Sequence, residues 1–210
     1  DTLHGEGGND NISGDAGNDT ITGGDGDDTI SGGDDDDDIE GNAGVDTIAG
    51  DAGNDFVDGG SENDSLAGGT GNDIIEGGTG DDTISGGDND DDIEGNAGID
   101  TITGDAGSDF IDGGSENDVL AGGTGNDIIE GGTGDDTING GDGDDLLGGD
   151  AGHDTIAGEA GNDTIWGDST YDRAGTSTPS GFAGNDTITG GDGDDTLHGV
   201  IRADLDLVPL

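Results

Sequence analysis

Aliphatic residues return every nine positions along this chain, and little else that is apolar lies between them. Ile12, Ile21, Ile30, Ile39, Ile48, Val57, Leu66 and Ile75 begin a series that runs unbroken to Ile165, then resumes at Ile188 and Leu197. Most stand between small polar residues, as in Thr29-Ile30-Ser31: a minimal strand with its middle side chain aimed at a core. Ahead of each lies a Gly-rich turn, such as Gly23-Gly24-Asp25-Gly26-Asp27-Asp28. Turn plus three-residue strand, taken twice, closes one coil of eighteen residues. So short and faithful a period predicts an all-β chain, a parallel β-roll (solenoid) with two nonapeptides per 18-residue coil.

With Gly5 as position 1, position 8 is the aliphatic and position 6 is always Asp. The series is Asp10, Asp19, Asp28, Asp37, Asp46, Asp55, Asp64, Asp73, Asp82, Asp91, Asp100, Asp109, Asp118, Asp127, Asp136, Asp145, Asp154, Asp163, Asp186 and Asp195. Gly at positions 1 and 4, and often at 2, permits positive φ, so a tight turn can aim its carbonyls inward. Asps at i and i+18 then stack on one side of the roll, about 4.8 Å apart. One Asp is an ordinary turn residue; twenty at a single position read as ligands.

Composition narrows what they bind. The 210 residues hold 54 acids, two basic residues (Arg173 and Arg202), 52 Gly and no Cys, with a formal charge of −52. One aliphatic per nine residues is little to offset the entropy of ordering nine residues, and nothing in the chain relieves like-charge repulsion. A cationic partner is required. Nucleic acid and anionic membrane surfaces are excluded as partners by their sign. No apolar run is long enough for direct membrane insertion, and without Cys there are no disulfides or thiolate sites. Hard divalent cations remain, and oxygen-only ligands select Ca²⁺ or Mg²⁺.

These residues resemble the RTX (repeat-in-toxin, haemolysin-type) repeat, the calcium-binding nonapeptide G-G-x-G-x-D-x-U-x, over about nine-tenths of the chain. The resemblance implies a right-handed β-roll, several Ca²⁺ ions as cofactors, and bacterial type I secretion to the cell exterior or surface. It also implies a ligand set. One turn supplies the carbonyls of Gly24 and Gly26 with the carboxylate of Asp28. The next turn on that side supplies the carbonyls of Gly41 and Ala43 with the carboxylate of Asp46. Ten turns per side leave nine gaps, hence up to about 18 ions in total.

Departures from the pattern carry expectations of their own. Asp35, Glu62, Asn89 and Glu116 replace Gly at position 4, and the two Glu turns are expected to be strained. Residues 32–85 and 86–139 are near copies, a duplication of three whole coils. Residues 1–199 are expected to form the roll, interrupted by a 14-residue loop within 167–182; residues 200–210 form an apolar tail or cap. The opening Asp1-Thr2-Leu3-His4-Gly5 starts inside a repeat and reads as cut from something longer. One sheet should present Thr29, Thr47, Ser65, Thr83 and Thr101 outward, the other an apolar strip of Phe56, Ile74, Phe110, Ile128 and Leu146 interrupted by Asp38 and Asp92.

Three functions compete. The first is a structural calcium-binding β-roll in an adhesin, surface layer or filament that assembles with copies of itself. The second is the C-terminal module of a secreted enzyme (protease, lipase or epimerase) whose catalytic domain lies elsewhere. The third, ice binding by Thr and Asn ladders on the turns, is met only at Thr70/Asn72 and Thr124/Asn126. No enzyme is expected within these residues: His4, His153 and His198 have no partner set, and the acids repeat instead of converging.

Overall fold

The position-8 aliphatics from Ile12 to Ile188 point between two parallel sheets, Leu197 on the end strand being 48% exposed, and the chain alternates between those sheets every nine residues. The computed structural model describes residues 1–167, 169–171, 177–179 and 186–198. One sheet has 11 strands, from Thr2–Gly7 through Phe56–Ser61 and Phe110–Ser115 to Thr196–His198. The other has 10, from Asn11–Ala16 through Thr83–Asp88 to Thr187–Asp192. We call them sheet one and sheet two. Every strand of the roll pairs in parallel with its neighbours one coil away, as in Thr83↔Thr101 and Ile84↔Ile102. The β-roll is therefore as the repeat predicts.

Seventeen aliphatics from Ile21 to Ile165 form a single core cluster, each at most 2% exposed. Leu3, Ile12 and Ile188 pack against it partly buried.

The strands are longer than expected. Most span six residues, such as Thr20–Asp25, because pairing continues through positions 2 and 3 after skipping the Gly at position 1. Propensity marks only the first half, since Gly is a poor strand former, but the neighbouring coil supplies a ladder for the second half too.

The insertion shifts the pairing offset from 18 to 32 residues: Thr155 pairs with Thr187, which accounts for the fourteen extra residues. Within the insertion, Ser169–Tyr171 and Ser177–Pro179 form an antiparallel pair. The Ser169–Tyr171 strand lies beside strands Ile128–Thr133 and Leu146–Gly148 of sheet one. The rest of the expected loop, and the tail at 200–210, lie outside the described residues. Among the described residues no helix is long and apolar enough to cross a membrane.

Candidate metal centre

At the start of each strand the chain turns out of a Gly-rich loop, and there the position-6 Asp side chain folds back into the roll. Asp19 through Asp163 are at most 4% exposed, while Asp10, Asp186 and Asp195 are partly buried. The Asps form two columns, one for each side of the roll. Asp28 shows how a column is built. Its N–H donates to Asp46 Oδ1 at 2.8 Å, its own Oδ1 accepts from the Asp10 N–H at 2.8 Å, and its carbonyl accepts from the Thr47 N–H at 2.9 Å. The same carboxylate-to-amide link joins each coil to the next as far as Asp163 and Asp195.

One carboxylate oxygen is thereby used and the other is not. Oδ2 of every position-6 Asp from Asp10 to Asp163 is buried without a hydrogen-bond partner. An orphaned buried oxygen on an ionised group is costly, and its cost falls only with a proton or a cation. Burial accordingly pushes the position-6 carboxyls from Asp37 to Asp163 up from their ordinary 3.8. Asp64, Asp91, Asp109, Asp118 and Asp154 reach about 7, and Asp55, Asp100, Asp136 and Asp145 about 6. Desolvation is the largest cause; the amide of the preceding Asp pulls the other way, and acids nearby add to the rise.

The orphaned oxygen faces a small cradle. A Cβ placed on Gly59, at position 1, would stand 2.7 Å from Asp64 Oδ2 and 2.7 Å from the carbonyl oxygen of Gly77, one coil on. The same pair of oxygens crowds Gly113, from Asp118 and Gly131, at 2.6 and 2.7 Å. The Asp28 carboxylate and the Gly41 carbonyl, two members of the expected ligand set, crowd Gly23 in the same way. Position 1 must be Gly for that space to exist. Another expected ligand, the Ala43 carbonyl, already accepts the Gly26 N–H at 2.7 Å, with a second lone pair left over. Among the described residues no three His, Asp or Glu side chains converge as a metal-ligand group. A cation here would need main-chain oxygens for most of its coordination. The donor set, hard oxygens from carboxylate and carbonyl, fits Ca²⁺.

The position-4 substitutions are accommodated. Asp35, Glu62, Asn89 and Glu116 adopt φ of 74–80°, as do Asn42 and Asp51 at position 2, with 78° and 75°. In the two Glu turns the carboxylate repays part of the strain. Glu62 Oε2 accepts from Ser61 Oγ at 2.8 Å and from the Gly44 N–H at 3.1 Å; Glu116 does the same with Ser115 and Gly98.

Position 5 forms a second ladder, beside that of the position-6 Asps. Asn54 donates its N–H to Asp36 Oδ1 at 2.9 Å and accepts the Asn72 N–H at 2.9 Å; Asp135, Asn126 and Asp144 act likewise along their columns. The signal was the recurrence of Asn and Asp just before the ligand, interrupted at Val45, Ile99 and His153.

The sequence model of a family described as RTX calcium-binding nonapeptide repeat matches residues 1–30, 31–66, 58–93, 67–102, 85–120, 112–147, 121–156, 149–173 and 180–199. No curated protein matches the chain significantly. Among solved structures it is similar to a hyperactive, Ca²⁺-dependent, β-helical antifreeze protein from an Antarctic bacterium. That match has 20% identity and a TM-score of 0.30, covering 94% of this chain and 83% of that one.

Proposed function

The chain belongs to the RTX calcium-binding nonapeptide repeat family, and on that footing we propose that it is a structural module of an extracellular protein, ordered by calcium. The carrying observation is the buried column of carboxylates with one oxygen each left without a partner. The position-6 Asps from Asp10 to Asp195 would supply the carboxylates, and turn carbonyls such as those of Gly24, Gly26, Gly41 and Ala43 the remaining oxygens. Bound Ca²⁺ supplies the positive charge that this chain lacks. About 18 ions would bring the formal −52 to about −16, a charge a folded protein carries readily. Affinity in the range of roughly 10⁻⁴–10⁻³ M would suit calcium levels outside the cell, and the fold would form where the ion is abundant.

The role is mechanical, not catalytic. His4 and His198 sit on the strands at opposite ends of sheet one, and His153 on a turn between them. An adhesin segment, a surface layer or a filament built from copies of the chain would each use such a rod. Circular dichroism in excess chelator is the test. Loss of the β signal, with its return in millimolar Ca²⁺, is expected; a cooperative β signal that ignores chelation would overturn calcium ordering. Light scattering in millimolar Ca²⁺ tests assembly separately: a strictly monomeric mass at high protein concentration would end that part alone.

A further inference from the structure

The two outer faces of the roll differ in chemistry. On sheet two, position 9 is small and neutral, with Ser31, Ala49, Ala67, Ser85, Thr103 and Ala121 following one another across the strands. On sheet one the same position carries Glu40, Asp58, Glu76, Glu94, Asp112 and Glu130, each directly opposite the next in the ladder. Like charges placed opposite one another on neighbouring strands destabilise a sheet. The chain's two basic side chains, Arg173 and Arg202, both lie outside the described residues.

Beside this acid row, two residues back along each strand, runs the position-7 row. There Phe56 and Ile74 stand next to one another, with Asp38 and Asp92 on either side. Ile74 is 47% exposed, while Phe56 is half-buried. The acid row stops at Glu130, because the next strand has Gly148 at that place, buried where the insertion's Ser169–Tyr171 strand approaches.

We propose that this face of sheet one docks a basic amphipathic helix of another protein, lying along the axis of the roll. Charge complementarity selects a basic partner and rules out a second copy of this acidic chain. Spacing selects a helix. Three steps along the acid row cover about 14.4 Å at one strand spacing of about 4.8 Å. Basic side chains at i, i+3, i+7 and i+10 of a helix span about 15 Å at about 1.5 Å per residue. An extended strand along the same line repeats on one face every ~6.6–6.8 Å and loses step after two acids. Apolar side chains on the neighbouring helix stripe would cover Phe56 and Ile74.

The probe is a fluorescent 18-residue peptide with Lys at i, i+3, i+7 and i+10 beside a Leu stripe, added to the full chain in millimolar Ca²⁺. A scrambled peptide of the same composition is the control. The helical peptide is expected to bind about tenfold tighter than the scrambled one, which carries equal charge. Glu76→Gln with Glu94→Gln is expected to weaken it about tenfold, and Phe56→Ser comparably. Thr83→Ala with Thr101→Ala, on sheet two, should change nothing. Relief of repulsion should leave the Gln variants at least as stable as the parent, so lost binding could not be blamed on unfolding. Equal binding of the two peptides, no binding, or indifference to Glu76 and Glu94 would overturn the proposal. A lower calcium stoichiometry in the Gln variants would overturn it too, by making the row a metal site.

Discussion

At the scale of single residues, the repeat divides its labour among atoms only ångströms apart. Gly at position 1 keeps the Oδ2 cradle open, and that duty is distinct from allowing positive φ. Gly113→Ala should therefore close a cradle, weakening calcium binding at that turn and costing about 1–3 kcal/mol through overpacking. Gly8→Ala has nothing within 4 Å of the new methyl and should cost only backbone strain, about 1–2 kcal/mol at its φ of 106°. Calorimetric calcium titration separates the two, since only the first should lose ion binding. Position matters as well. Asp109→Ala, with a coil on either side, is expected to damage two sites, and Asp195→Ala at the end of the column only one. Equal losses of stoichiometry would argue against ions held between stacked turns. The recurrence of the position-6 Asp was legible in the sequence because it never varies. The split between its oxygens was not, because it follows from how the side chain meets the amide of the coil before it.

At the scale of the strand and turn, the aliphatic period disclosed the register of both sheets, since one core-facing side chain per repeat leaves no alternative phase. It disclosed only half of each strand, because the other half is built of Gly and turn residues that pair only when a neighbouring coil is present. Position 5 escaped for a related reason: Asn, Asp and Ser there look like turn composition, and their work is done between coils. Asn54→Ala should remove the acceptor for the Asn72 N–H and cost about 1 kcal/mol. Val45 offers no acceptor to the coil that follows, so Val45→Asn should gain roughly 0.5–1 kcal/mol by completing the column. Thermal melts in saturating calcium would check both, and a stabilising Asn54→Ala would refute the ladder's role.

At the scale of the whole roll, the proposed ligand set would make protons and calcium compete for the same oxygens. The folded, metal-free protein holds Asp64, Asp91, Asp109, Asp118 and Asp154 near 7, whereas an unfolded chain would hold them near 3.8. The folded state thus binds more protons between those values, so its stability without metal is greatest in acid and falls as pH rises through about 7. Calcium bound by these carboxylates would take the deprotonated form, so the sign would reverse for the loaded roll. After metal removal, β structure should be better retained at pH 5 than at pH 8. The calcium concentration for half-folding should rise as pH is lowered from 7.5 to 5.5. Identical midpoints across that range would contradict the buried carboxylates as the binding groups.

The insertion has a meaning for how the chain finds its phase. Coils as alike as those in 32–85 and 86–139 can exchange neighbours with little local penalty, so a strand displaced by whole coils still meets acceptable partners. The 32-residue offset is confined to one place in the described roll, where Thr155 pairs with Thr187 and Thr164 with Thr196, and Gly148 is the only position-9 Gly there, seated beside the insertion's first strand. A slipped chain would carry the hairpin to a coil bearing Glu130 or Asp112 instead. The hairpin is thus an absolute marker in a molecule whose other signals are all relative, and a chain refolded without those fourteen residues should yield a mixture of rolls of unequal length.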